Sequence, residues 1–151
     1  MNDKNNILKP SITIKASINV PIEKIWGDWI ETEHIKRWNY ASEDWHTPHA
    51  ENDLRVGGRF LSRMEAKDGS FGFDLTGTYD EVELYEVIAY TLDDGRKVKV
   101  TFNAEDDKIF IIVTFEAESS NSLEMQQNGW QAILDNFKKY TQSSSNTKEE
   151  I

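Results

Sequence analysis

This sequence encodes an α+β domain in which a curved antiparallel sheet of about seven strands wraps around one long C-terminal helix. Two patterns and their order predict it. Between residues 56 and 116 apolar and polar residues alternate, broken by Lys67-Asp68-Gly69-Ser70, Asp93-Asp94-Gly95-Arg96 and Asp106-Asp107. Alternation with short polar breaks is the signature of a β-meander, whose local hairpins force antiparallel pairing. The segment from Ser122 to Gln142 then carries Leu123, Trp130, Ile133, Leu134, Phe137 and Tyr140 at helical spacing. A lone terminal helix with this much aromatic area must bury it, and the sheet is the only surface large enough. A twisted sheet with one apolar face curls, so the helix plugs its concave side.

The elements follow in order. Residues 1–10 are polar and read as a flexible arm. Ile12, Ile14, Ala16 and Ile18 alternate as a half-buried strand. Pro21 occupies a helix's first position, with its φ preset, and Ile22, Ile25, Trp26 and Trp29 follow at helical spacing. A second short helix is expected over about Glu33–Trp38, then a polar and aromatic loop over 39–51. In the meander, Phe60, Ser62 and Met64 share a face, as do Phe73, Leu75 and Tyr79, then Ile88, Tyr90 and Leu92, then Val98, Val100 and Phe102. The last strand carries Ile109, Ile111, Val113 and Phe115 on one face and Phe110 and Ile112 on the other, which implies cover on both sides or an interface. Asn121 is placed to cap the final helix, with Glu124 three residues on. Gly129 costs about 1 kcal/mol in mid-helix relative to alanine, a cost that close approach by other backbone or by a ligand would explain. Residues 143–151 read as a disordered tail, leaving 11–142 as one domain.

Composition excludes several functions. The chain has 151 residues and no cysteine, so it has no thiol nucleophile, disulfide or zinc–thiolate site. A net charge of −10 lacks the basic face that nucleic acid requires. No stretch reaches the roughly 20 apolar residues of a membrane span, and MNDKNNILKP has no signal-peptide core, so a cytoplasmic location is expected. Aromatic residues make up 11% of the chain, including five tryptophans, enough for a large aromatic core or a pocket lined by flat apolar surfaces.

Chemistry-bearing motifs are sparse. His46 and His49 lie near Glu43, Asp44 and Glu51, but His-x-x-His in a proline-containing loop matches no metal signature, and an exposed polar loop is the simpler reading. His34 reads as helix surface. The acid pairs Asp74 with Glu65, and Asp28 with Asp44, meet the composition of a general acid–base site but have no spacing that unites them. Gly57-Gly58 lacks the helix and lysine of a phosphate loop and marks a bend in the sheet. No catalytic residue, metal or cofactor is called for.

The ordered segments NVPIEKIW (19–26), WHTPHAENDLRVGGRF (45–60), RMEAKDGSFGFDLTGTY (63–79), YTLDDGRKVKVTF (90–102), TFEAE (114–118) and NGWQAILDNFKKY (128–140) resemble the activator of heat-shock-protein-90 ATPase homologue family. The resemblance is to the domain at the C-terminus of the eukaryotic activator. It implies the helix-grip fold of the START and birch-pollen-allergen-like superfamily, with an apolar cavity between helix and sheet. It implies binding of a small apolar molecule, with a polyketide-cyclase-like enzyme or a ligand-free chaperone-associated module as alternatives. Any chaperone contact is expected to be weak, because the eukaryotic activator engages the chaperone through a separate N-terminal domain. The cavity is expected to be lined by Phe60, Met64, Phe73, Leu75, Tyr90 and Phe102 from the sheet and by Trp130, Leu134 and Phe137 from the helix. Trp38, Asn39, Trp45 and His46 bracket the loop beside its expected mouth, where they either contact the ligand or cap one end of the core.

Overall fold

In a computed structural model, residues 10–149 are described, with side chains through Ser143. The order is β1 (Ser11–Ile18), α1 (Ile22–Ile30), α2 (Thr32–Trp38), β2 (Trp45–Asn52), β3 (Arg59–Ala66), β4 (Gly72–Glu83), β5 (Val87–Leu92), β6 (Lys97–Glu105), β7 (Lys108–Glu116) and α3 (Leu123–Glu149). All seven strands form one antiparallel sheet, ordered β1-β7-β6-β5-β4-β3-β2. Consecutive hairpins build β2 through β7. The first strand instead pairs with the last, from Ser11↔Glu116 to Ile18↔Ile109. The two short helices therefore carry the chain from one edge of the sheet to the other.

Alternation decides which face is buried. Ile12, Ile14 and Ile18 on β1, Val98, Val100 and Phe102 on β6, and Ile109, Ile111, Val113 and Phe115 on β7 all point into the concave side and are buried. A bulge between Tyr79 and Glu81 shifts the parity of β4, so Val82 rather than Glu81 continues the inner row opposite Ile88. Phe110 and Ile112 lie on the outer face, half-buried. Gly77 stands opposite Leu92 and beneath the Phe60 ring; a Cβ there would sit 2.7 Å from that ring and 2.8 Å from the Thr91 carbonyl. Glycine is what lets the ring lie flat on the sheet.

The helices close one end of the curl. Pro21 is the N-cap of α1, one residue earlier than the sequence reading placed it, and its carbonyl accepts from Lys24 and Ile25 at 3.1 Å. Trp26 packs edge-on against Phe102 and Tyr85, while Trp29 packs against Trp38, Phe102 and Phe137. α3 rests on β1 and touches α1 and α2. Its cap is Ser122, not Asn121: Met125 N–H donates to Ser122 Oγ at 3.0 Å, while the Asn121 amide turns back to Glu118. The helix continues past Gln142 to Glu149, so residues expected to leave the fold extend it. Residues 1–9, most of the expected arm, and 150–151, the last of the expected tail, lie outside the described residues.

The 39–51 stretch is only in part a loop. Trp45–Asn52 is an edge strand, with its register shifting between His46 and His49 around Pro48. Proline cannot donate to a ladder, so an edge strand at a bulge is where it fits.

Candidate functional site

A helix resting on β1 cannot also touch β3, β4 and β5 across a curled sheet. The gap is a cavity of about 470 Å³, within the size range of small-molecule sites. From the sheet Phe60 and Met64 (β3), Phe73 and Leu75 (β4) and Tyr90 (β5) line it; from α3, Trp130 and Leu134 do. Trp38, Asn39 and Trp45 line it from α2 and the start of β2. Two residues expected there are elsewhere. Phe102 is buried against Trp26 and Trp29. Phe137 is fully buried between Trp29 and Trp38. Phe102 has the inward strand parity and Phe137 lies on the apolar stripe of α3, but Trp26, Trp29 and Trp38 of the two short helices cover them.

Trp130 stacks on Phe115 with ring centroids 3.9 Å apart and planes at 9°. One residue earlier, a Cβ on Gly129 would meet no atom within 4 Å. No other backbone approaches this glycine; it opens onto the cavity. At the other side Trp45 and Phe73 line the cavity while Phe73 remains 41% exposed, and with Phe71 they form an aromatic cluster with centroids 5.9 to 6.3 Å apart. This rim is where the cavity meets solvent.

Polar groups are few and mostly committed. Asn39 Nδ2 donates to Ser62 Oγ at 3.3 Å. Tyr79 donates to Asn52 Oδ1 at 2.5 Å, and Asn52 Nδ2 donates to the Ile30 carbonyl at 2.7 Å, which ties β4, β2 and α1 together at the cavity wall. Burial pushes the Tyr79 and Tyr90 hydroxyls up, so both stay protonated; the nearby Arg96 partly opposes the shift at Tyr90. Hydrogen bonds from Asn121 hold the Glu118 carboxyl below its usual range.

Arg96, Glu118, Asn52 and Ser62 also line the cavity and were not anticipated. A signal for Arg96 existed: it precedes Val98, Val100 and Phe102 at the same parity, which carries its side chain to the inner face.

The other motifs disperse. His46 Nε2 lies 3.6 Å from Glu65 and His49 Nε2 lies 2.7 Å from Glu51. Among the described residues no group of three or more His, Cys, Asp or Glu side chains is arranged to hold a metal ion. Glu65 and Asp74 do share a partner, Arg63, at 2.9 and 3.4 Å, but on the outer face. Asp28 and Asp44 do not meet. Asp44 accepts from Ser42 at 2.5 Å, whereas Asp28 is buried between the helices. There it accepts from Lys24 Nζ at 2.6 Å and Thr141 Oγ1 at 2.7 Å. His34, expected on the helix surface, turns toward it, 3.6 Å from Asp28 and 2.6 Å from the Tyr140 hydroxyl. Gly57 has φ +85° in the turn before β3, where Gly57 and Gly58 exchange backbone bonds with Tyr79 at 2.9 Å.

An antiparallel sheet gripping a C-terminal helix around an apolar cavity is the helix-grip architecture. The family model described as "Activator of Hsp90 ATPase homolog 1-like protein" matches residues 19–142, and the chain belongs to that family. A solution structure of an AHSA1-like protein from Aeromonas hydrophila is 47% identical, with a TM-score of 0.85 over 90% of this chain and 94% of that one. A protein from Cytophaga hutchinsonii, also solved in solution, is 46% identical with a TM-score of 0.78 over the same shares, 90% and 94%. A crystal structure from Nitrosomonas europaea shares the fold, with a TM-score of 0.77 at 15% identity over 90% of this chain and 96% of that one. No curated protein matches the sequence. Among the described residues no helix is long and apolar enough to cross a membrane.

Proposed function

We propose that this protein binds a small apolar molecule in the cavity between α3 and β3–β5. The observation that carries this reading is a 470 Å³ space walled by aromatic and aliphatic side chains, onto which α3 opens with a glycine rather than a side chain. A core selected only for stability would fill that space, because voids in a close-packed interior cost stability. Burying ligand surface at roughly 25 cal/mol per Å² supplies the affinity, and the few polar wall groups set orientation. The cyclase alternative needs a titratable group poised near neutrality at the cavity. The two tyrosines are pushed up and Glu118 is pushed down, so these three wall groups do not favour it.

The test is direct. The tryptophans Trp38, Trp45 and Trp130 line the space, so an apolar probe should quench or shift their emission. Native mass spectrometry of freshly purified protein should show a co-purified small molecule. A panel of fatty acids, sterols and polyphenols that changes neither emission nor melting temperature would refute the reading.

A further inference from the structure

Among the described residues Arg96 is the one cationic side chain that lines the cavity. Its side chain is 15% exposed, so the charge is largely removed from water. Burying a cation in an apolar wall is costly unless something compensates it. The protein compensates one edge only: Nε donates to Asp94 Oδ2 at 2.9 Å. Among the described residues the terminal nitrogens Nη1 and Nη2 have no hydrogen-bond acceptor. Glu118 is the other acid beside Arg96 at this end of the cavity, but it is already engaged. Its Oε1 accepts from the Ser120 and Asn121 backbone N–H groups at 2.5 and 3.0 Å, and its Oε2 from the Asn121 amide at 2.5 Å. The Tyr90 hydroxyl, also in the wall, has no hydrogen-bond partner among the described residues.

An arginine with its Nε edge occupied and its Nη edge open presents two parallel donors, the geometry that a carboxylate takes bidentately. We infer that the guest is an apolar carboxylic acid, its hydrocarbon part packed against Phe60, Leu75 and Trp130 and its carboxylate held end-on by Arg96, with Tyr90 as a further donor. This rests on the cavity being open to an apolar guest. Of the chain's net charge of −10, physiological salt screens what lies beyond about 8 Å, and the two nearby carboxylates are each engaged, Asp94 by Arg96 and Glu118 by Ser120 and Asn121.

The experiment compares dodecanoate with dodecan-1-ol, which share a chain and differ in the head group, by calorimetric titration at neutral pH. Wild type should bind the acid at least about tenfold more tightly, as a charge-assisted bond requires. Arg96→Gln should abolish the preference, so that acid and alcohol bind the variant with equal affinity, while cooperative thermal unfolding shows that the variant still folds. Arg96→Lys, which keeps the charge without the fork, should retain part of the preference. Equal binding of acid and alcohol by wild type would overturn the inference and leave apolar binding intact. A preference that survives in Arg96→Gln would remove Arg96 from the role. If neither probe binds, the cavity reading itself fails, and this inference with it.

Discussion

Replacing Gly129 with alanine should stabilise the protein. Most substitutions at partly buried positions do the opposite, which makes the sign informative. Glycine inside a helix costs about 0.5–1 kcal/mol relative to alanine, through the entropy it loses on folding. The opposing cost is steric, and here it is absent, because nothing lies within 4 Å of where the methyl carbon would sit. The net is a gain of about 0.5–1 kcal/mol, or roughly 1–4 °C in Tm for a chain of this size. Gly129→Phe extends the test by placing a ring in the 470 Å³ space. It should abolish probe binding while folding stays cooperative. Calorimetry and tryptophan emission read the two effects separately. If Gly129→Ala lowers Tm, the position is occluded, and the argument that α3 opens onto a cavity is wrong.

Other outcomes follow from the same geometry. Trp130→Ala removes the ring stacked on Phe115 and should cost about 3 kcal/mol, the lower end for aromatic truncations because Trp130 is only half-buried; thermal unfolding measures it. Asp28→Ala should cost about 3 kcal/mol by denaturant titration, since it removes a buried acceptor shared by Lys24 and Thr141 from the junction of the three helices. Bonds from both terminal nitrogens of Arg59 at 2.8 Å, and one from Thr76 at 2.5 Å, hold the Asp93 carboxyl down at about 2. A carboxyl depressed on folding stabilises the protein above its ordinary pKa, and that contribution is lost as pH falls through the folded value. Asp93→Asn should therefore melt below wild type at neutral pH, with the two Tm curves converging between about pH 4 and about pH 2.

The meander was legible because each strand buries one face, so period-two alternation maps directly onto the structure. Parity gives the face of a strand but not the height along it. Phe102 has the right parity, yet Trp26 and Trp29 cover it; the helical stripe has the same limit, since it includes Phe137, which Trp29 and Trp38 cover. β2 was missed because an edge strand with a proline at its bulge has no regular alternation; its burial follows no simple period. Arg96 was hidden by its composition: within Asp-Asp-Gly-Arg it reads as a polar turn, and only its parity with Val98 points inward. The cavity depends on sheet curvature and on α3 resting at the β1 edge, and neither is a local property of any segment.

The pairing of the first strand with the last has a consequence for how the chain acquires its fold. Thr13 and Thr114 touch at 3.2 Å across a separation of 101 residues. Long loop closure of this kind is slow, whereas the hairpins from β2 to β7 close locally. During synthesis β1, α1 and α2 emerge first, with Ile14, Ile18 and Ile25 lacking the surface that finally buries them. The six hairpin-linked strands then assemble with β7 as an open edge, rich in apolar side chains on both faces, until β1 returns to cover it. Such an edge is a template for another chain. A chain lacking residues 1–20 should therefore self-associate through β7, and the time β1 takes to dock sets how long the newly made protein is exposed to that hazard.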